Sequence, residues 1–386
     1  MREEPSPVGR DPQPALFLMT NTLETGGSER QFATVARELK PDPLQIKLGC
    51  LNKKGPFAEE LGEITEFPPQ GSLFNLKSQR ARMALGRYLR ANRVMVAHSF
   101  DFYSNFMLIP SARLAGVPVV IGSQRQIGDL LSSFRNTAQN ALFRWCDRVT
   151  CNSRAAARGL ERAGVDREKL AVIPNALPEA AFAKVEPALP VKPEVIRVAM
   201  LARMNDAAKR HDVFLKAAAR VAGRETRVEF VLVGDGALRS GFEKMASDLG
   251  LADRVWFLGD RRDVPAVLAS CDISVLSSDS ESLSNAIMES MAAGLPVIAC
   301  RVGGNEELIR DGESGFLVPA GSDEQMADRI VTLVRAAELR KALGSRARKL
   351  ALNFSSEHVC SEYAGLYTSL LQDKGIELQA LVATVS

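Results

Sequence analysis

The sequence predicts an α/β protein of two doubly wound halves, each a parallel sheet with helices on both faces. Three observations predict it. Short apolar runs alternate with longer helix-period segments along most of the chain. The short runs are rich in Val, Ile and Leu, as expected of strands buried on both faces. The alternation breaks once, near the middle, in a proline-rich stretch. A length of 386 residues suits two domains of about 150 residues each.

The elements follow in order. Ala15–Thr20 (ALFLMT) reads as the first strand, followed by a glycine loop and a helix over Ser28–Leu39, with Ser28 as its N-cap. Further strands are expected at Gln45–Leu51, Val94–Ala97, Val117–Ile121, Arg148–Cys151 and Leu170–Ile173. Residues 174–194 then hold five of the nineteen prolines, the signature of a linker. The alternation resumes with Ile196–Leu201, Val228–Gly234, Val255–Leu258, Ile273–Leu276, Pro296–Cys300 and Gly315–Val318. The expected organisation is a disordered lead-in at 1–14, a first domain at 15–183 and a linker at 184–195. A second domain follows at 196–352, and C-terminal helices at 353–386 cross back to the first. Ligands of such sheets bind beyond the carboxyl ends of the strands, so two facing sheets would form a deep cleft.

Composition excludes several function classes. Lys+Arg total 49 against Asp+Glu 46, a net charge of +3, which argues against a general nucleic-acid binder. No apolar run approaches the roughly 20 residues that cross a bilayer, and the polar N-terminus offers no secretory core; a cytoplasmic protein is expected. The six cysteines form no CxxC pair, and none of the three histidines has metal-ligand spacing to them. Buried thiols, not a zinc site, are expected. The charge is uneven, however. Residues 71–160 carry thirteen Arg/Lys against Asp101, Asp129 and Asp147, a net +10. Within that stretch Lys77, Arg80, Arg82, Arg87, Arg90 and Arg93 form an acid-free cluster. It reads either as solvated helix faces or as a surface for an anionic acceptor or the inner face of a membrane.

Chemistry concentrates in Ser277–Glu307. A strand ends near Leu276, Glu281 follows in a loop, and a helix begins near Ser284 or Asn285 and carries Glu289. Free N–H groups at that helix start suit phosphate oxygens. The two carboxylates repel phosphate but accept hydrogen bonds from hydroxyls. The combination suggests a nucleotide sugar or another polyol phosphate.

Here the chain resembles the retaining glycosyltransferases of family 4, the glycosyl transferases of group 1, whose fold is GT-B. The likeness rests on Glu281-x7-Glu289, Met291-Ala-Ala-Gly-Leu-Pro-Val297 and Gly303-Gly304-x-x-Glu307. Gly26-Gly27-Ser28-Glu29-Arg30, Ile173-Pro174-Asn175, Arg203 with Lys209, Val233-Gly234-Asp235-Gly236, Phe257-Leu258-Gly259 and Asp311-Gly312-x-x-Gly315-Phe-Leu-Val318 extend it over most of the chain.

The resemblance implies a nucleotide-sugar donor, a UDP-sugar foremost, and a glycan, lipid-linked or polysaccharide acceptor. Arg203 and Lys209 would neutralise the departing pyrophosphate. Glu289 would accept the ribose hydroxyls and Glu281 would contact the transferred sugar. Gly26, Gly27, Gly234, Ser284 and Asn285 would lie along the donor. His98, at a strand end, would stand near donor sugar and acceptor through its ring or its carbonyl, with Arg125 a weaker acceptor-side residue. The sequence contains no Asp-x-Asp, so neither a metal nor a further cofactor is expected. Where the family often has Gly then an aromatic after the first Glu, this chain has Ser282-Leu283-Ser284-Asn285, and the resemblance does not name the sugar. The alternatives are a nucleotide-sugar epimerase or phosphorylase on the same fold, or a non-catalytic sugar-nucleotide-binding protein.

Overall fold

A computed structural model describes residues 13–69, 76–127 and 132–377; most of the expected lead-in, Asp129 and the Lys77 side chain lie outside them. The chain forms two compact units. The first takes in the described residues up to Asn152, Ala157–Ile173 and the chain from Glu357 onward; the second holds Ser153–Ala156 and Pro174–Ser356.

The first unit is built on seven parallel strands: β1 (Ala15–Thr20), β2 (Gln45–Cys50), β3 (Ile64–Glu66), β4 (Val94–Ser99), β5 (Val119–Gln124), β6 (Arg148–Cys151) and β7 (Leu170–Val172). Their order is β3-β2-β1-β4-β5-β6-β7. Every residue of β1 and β5 is buried, which is why these segments read as unbroken apolar runs or small-residue runs rather than alternating ones. The intervening helices are α1 (Gly27–Glu38), α2 (Phe57–Glu60), α3 (Leu76–Ala91), α4 (Phe102–Ala115), α5 (Ser133–Phe143) and α6 (Arg154–Arg162). Helix α1 starts one residue earlier than expected. Its N-cap is Gly26, not Ser28, and Gly26 makes no side-chain cap. The Glu29 carboxylate folds back over Gly26, where a Cβ would lie 1.9 Å from its Oε2, and Thr22 donates to Glu29 Oε1 at 3.3 Å. The glycine therefore supplies room for this acidic side chain.

Helix α4 shows what the basic residues of this unit do. Asp101 caps it through a reciprocal capping box with Ser104, and Gly116 ends it in the left-handed conformation at φ 75°. Pro110 lies in its interior and has no N–H for the carbonyl of Phe106, four residues back. The Arg82 guanidinium donates to that carbonyl at 3.3 Å. Arg90 donates to Ala115 O (3.2 Å) and Leu114 O (2.6 Å) at the end of the same helix. Arg113 donates to Trp145 O (2.5 Å), and Lys169 to Arg144 O (2.7 Å) and Cys146 O (3.0 Å), just past α5. In a parallel α/β unit the crossover helices end at the same sheet edge, where their carbonyls favour cations. Two of the excess positive charges of residues 71–160, Arg90 and Arg113, are therefore helix-end partners, and Arg82 serves the carbonyl that Pro110 leaves free.

The second unit repeats the topology with six parallel strands: β8 (Ile196–Leu201), β9 (Val228–Val233), β10 (Val255–Phe257), β11 (Ile273–Leu276), β12 (Val297–Cys300) and β13 (Gly315–Val318), ordered β10-β9-β8-β11-β12-β13. Both sheets thus follow the doubly wound order three-two-one-four-five-six, and the expected fold class is present. The helices are α7 (His211–Ala222), α8 (Arg239–Asp248), α9 (Val264–Leu268), α10 (Asn285–Ala292), α11 (Asn305–Leu308), α12 (Asp323–Arg335) and α13 (Ala337–Ala351). Phe214 of α7 and Phe230 of β9 meet edge to face at 6.0 Å in the largest part of its core, each burial contributing roughly 1.5–3 kcal/mol. Helix α14 (Ser356–Asp373) falls, from Glu357, in the first unit.

The proline-rich segment lies inside the second unit. Arg197 at the start of β8 is 4% exposed. It donates to Pro190 O (2.6 Å), to Ser270 O (3.3 Å) and to Glu229 Oε2 (3.0 Å). Lys192 meets the other Glu229 oxygen at 2.5 Å, and both cations lie over the Trp256 ring. The prolines shape a strap along the second sheet.

Candidate active site

In the second unit β8 and β11 are neighbours, and the strand order reverses between them. The loops that leave their carboxyl ends therefore diverge and open a crevice. The first loop carries Arg203 and Lys209, the second Glu281. The structure brings two of these together: Lys209 Nζ lies 2.7 Å from Glu281 Oε1, and Ser278 Oγ donates to the same oxygen at 2.7 Å. Glu281 is 9% exposed. Burial of a carboxylate is tolerated here because a cation and a hydroxyl engage it.

Lys209 is aimed by its neighbour. Arg210 takes a left-handed backbone, φ 51° and ψ 48°, a strained state for a non-glycine residue. The Ser277 hydroxyl lies 3.0 Å from Lys209 O and 2.8 Å from Arg210 O, and the Arg210 guanidinium bridges Asp212 (2.9 Å) and Asp279 (2.8 Å). The Asp212 and Asp279 hydrogen bonds hold the Arg210 pKa above its ordinary value, and the Arg210 guanidinium in turn lowers that of Asp212. Arg203 lies exposed on the same loop. Gly234 and Gly236 close over that loop at φ 128° and 155°; their absent Cβ atoms would lie 2.2 Å from Ala202 O and 2.4 Å from Met204 C. Met204 N donates to Asp235 O and Leu238 N to Met204 O, both at 2.9 Å. Gly234 thus works as a backbone clamp on the Arg203 segment.

Helix α10 begins with Ser284 as N-cap, its hydroxyl accepting from Ile287 N at 3.3 Å. The side-chain amide of Asn175 donates to Asn285 Oδ1 (2.7 Å) and Leu283 O (3.2 Å), anchoring this first turn. Arg348 donates to Ala292 O and to Phe182 O (2.6 Å), holding the other end. Glu289 is half-buried one turn inside. Leu283 turns into the core with Ile287 and Met288. Gly304 N donates to Glu281 O at 3.1 Å, and a Cβ on Gly304 would lie 1.9 Å from Ser282 O. The Gly303-Gly304 pair therefore supports the Glu281 loop by close backbone approach. Glu307 accepts from Arg154 N (2.9 Å) and Ala155 N (2.8 Å) as a helix cap. Sequence reasoning missed Ser277, Ser278 and Arg210; the serine-rich run after Leu276 was the available signal.

Gly26, Gly27, His98 and Arg125 belong to the first unit. The His98 ring is wholly buried. Its Nδ1 lies 2.8 Å from the Tyr367 hydroxyl, and its Nε2 lies 3.0 Å from Ser123 Oγ and 3.1 Å from Thr150 Oγ1. Burial, with Arg125 adding to it, lowers its pKa to about 3, so the ring is neutral. The ring pins β4, β5, β6 and α14 together, and the expected approach to donor and acceptor through the ring or the carbonyl is left to the carbonyl. Arg125 lies 5.5 Å from the Phe100 ring centroid and 3.4 Å from the Tyr363 hydroxyl. All six cysteines are buried and unpaired. Among the described residues no cluster of three or more His, Cys, Asp or Glu could hold a metal ion, and no helix is long and apolar enough to cross a membrane.

Two doubly wound units, the second with a cation–carboxylate pair at its switch point, define a protein of the GT-B class. Two family models match: Glycosyltransferase Family 4 over residues 25–180 and Glycosyl transferases group 1 over residues 195–336. The chain belongs to this glycosyltransferase family. It is 34% identical over 240 residues to the lipopolysaccharide core biosynthesis glycosyltransferase LpsE of Rhizobium meliloti, covering 62% of this chain and 66% of that one. With the N-acetyl-alpha-D-glucosaminyl L-malate synthase of Bacillus anthracis it shares 36% identity over 150 residues, 39% of each chain. The chain thus spans about two fifths of the length of the first curated relatives it matches. The crystal structure of Anabaena HepE in complex with UDP superposes with a TM-score of 0.80 at 21% identity, over 92% of this chain and all of that one.

Proposed function

We propose that this protein is a retaining glycosyltransferase that moves a hexose or N-acetylhexosamine from a UDP-sugar to a glycan, lipid-linked or polysaccharide acceptor, without a metal. The observation that carries the reading is the Lys209–Glu281 pair at the switch point of the second sheet. A diphosphate in this crevice meets Lys209 and Arg203, whose fixed charge stabilises the negative charge that develops as the glycosidic bond breaks. Glu281, held by Ser278, accepts hydrogen bonds from sugar hydroxyls, and Glu289 on α10 accepts those of the ribose. The leaving phosphate takes the acceptor's proton on the face it departs from, which needs no protein base; this accords with a His98 ring that is buried and neutral. UDP in HepE and lipopolysaccharide core synthesis by LpsE support the donor and acceptor classes.

Thermal-shift screening against UDP, GDP, ADP and their sugars tests the donor. Glu289→Ala is expected to weaken UDP binding, whereas Glu281→Ala lowers turnover more than affinity. Equal UDP affinity in wild type and the Glu289 variant sinks the assignment. Activity is expected to persist in EDTA; loss restored by magnesium or manganese contradicts the metal-free reading.

A further inference from the structure

We propose that the amino edge of the first sheet, where α3, α4 and α5 end, is a docking surface for an anionic lipid bilayer. Helix-end chemistry accounts for several of the cations at this edge. It does not account for the large apolar side chains beside them. Leu114 is 77% exposed and Trp145 54%. They are linked through the arginines already described. Arg90 reaches from α3 to the carbonyl of Leu114, and Arg113, next to Leu114, reaches the carbonyl of Trp145. Arg87, one turn before Arg90 on α3, and Arg144 are exposed beside them.

The part of this edge formed by α3, α4 and α5 carries almost no acid, whereas Asp166 and Glu168 lie exposed past α6, in the turn whose Lys169 reaches Arg144 O. Among the described residues from 76 to 148 only Asp101 and Asp147 are acidic. Asp101 caps α4 at the opposite, carboxyl edge of the sheet. Asp147 has a side chain only 11% exposed and is paired with Arg113 (2.8 Å) and Lys374 (2.9 Å). No carboxylate in that span therefore competes with an external anion for Arg87 or Arg144.

An indole and a leucine among arginines suit the headgroup boundary of a bilayer. Apolar side chains enter the acyl margin there, Trp favours the interface, and guanidinium groups remain at phosphate level. A soluble polyanion would engage the arginines without rewarding the exposed Leu114 and Trp145. The surface lies wholly in the first unit, at the edge away from His98 and Arg125, so the inference does not depend on the proposed donor chemistry.

The test is co-sedimentation of the full chain with phosphatidylcholine vesicles, with and without phosphatidylglycerol. Binding is expected only with the anionic lipid and is expected to weaken as salt rises. The chain has two tryptophans, so a Trp256→Phe background isolates Trp145, whose emission should shift to the blue on anionic vesicles. Leu114→Ser with Trp145→Ser should reduce partitioning at least about ten-fold, and each of Arg87→Gln and Arg144→Gln about five-fold. UDP affinity and melting temperature should stay at wild-type values and report the fold. Failure to bind anionic vesicles at low salt overturns the proposal, as does binding that survives the double serine variant. So does concentration-dependent dimerisation that the serine variant abolishes while vesicle binding is absent, because the occupant would then be a second copy.

Discussion

Gly304→Ala is the smallest change that should disable the candidate site. The residue has no left-handed backbone to protect; its φ is −79°. Its constraint is contact. An added methyl would lie 1.9 Å from Ser282 O and 2.9 Å from Ser282 C, and both obstacles are backbone, so no side-chain rotation relieves them. Real Cβ contacts stay beyond 3.0 Å, so the Ser282–Leu283 peptide or the Gly303–Gly304 turn must shift by about 1 Å, and a displacement of that size at reacting groups costs about 100-fold in rate. Glu281, next in the chain and bonded through its carbonyl to Gly304 N, moves with this loop and loses register with Lys209, while α10 keeps its anchors at Asn175 and Arg348. Turnover should therefore fall about 100-fold with nucleotide affinity changed far less. The assay pairs donor turnover with UDP titration and a thermal melt. Gly312→Ala is the control. Its φ of 77° makes alanine strained, but nothing lies within 4 Å, so it should lower stability by about 1–2 kcal/mol and leave turnover intact. A Gly304→Ala protein that melts and turns over like wild type would refute the reasoning.

Two further outcomes follow from the first unit. Arg82→Met keeps much of the side-chain bulk but leaves the Phe106 carbonyl, which Pro110 has deprived of its helical partner, without its donor; stability should fall by about 1–3 kcal/mol in chemical denaturation, and an unchanged midpoint would show that the Arg82 bond contributes nothing. His98, with its pKa lowered to about 3 by burial, binds fewer protons folded than unfolded near pH 5. Its stabilising contribution is complete above about pH 6.5 and is lost as pH falls toward 3, at up to about 1.4 kcal/mol per pH unit. His98→Gln should flatten the dependence of unfolding free energy on pH between 6.5 and 4.5. His211, lowered to about 4 by burial, adds slope of the same sign, and Asp101, raised by burial, opposes it; a slope identical in wild type and variant would contradict the assignment to His98.

Much of the fold was legible because its signals are local. Ala15–Thr20, Arg148–Cys151, Ile196–Leu201, Ile273–Leu276 and Gly315–Val318 are strands with the limits read from their apolar runs. β3 was not legible: three residues, ITE, with one buried side chain carry no periodicity. The glycine motifs could be located, but not the use each serves. Gly26 makes room for Glu29, Gly234 and Gly236 close over backbone, and Gly304 supports a peptide 22 positions away. Contacts at long separation were beyond reach altogether. Lys209 and Glu281 are 72 positions apart, and His98 and Tyr367 are 269 apart; only the folded sheets and the returning α14 bring them together. The cations of residues 71–160 were plain in the sequence, yet their partners are carbonyls released by helix ends and by Pro110, which no charge count registers.

The strap formed by residues 188–192 has a practical consequence for anyone recombining the two units among members of this family. A proline-rich stretch invites a splice, yet a crossover placed there would take Pro190 and Lys192 from one parent and Arg197, Glu229 and Trp256 from another. The guanidinium of Arg197, 4% exposed, would then meet an unfamiliar set of carbonyls. Junctions at Ile173/Pro174 and Ser356/Glu357 follow the compact units instead, and they transfer the strap, its arginine and its tryptophan as a single inherited piece.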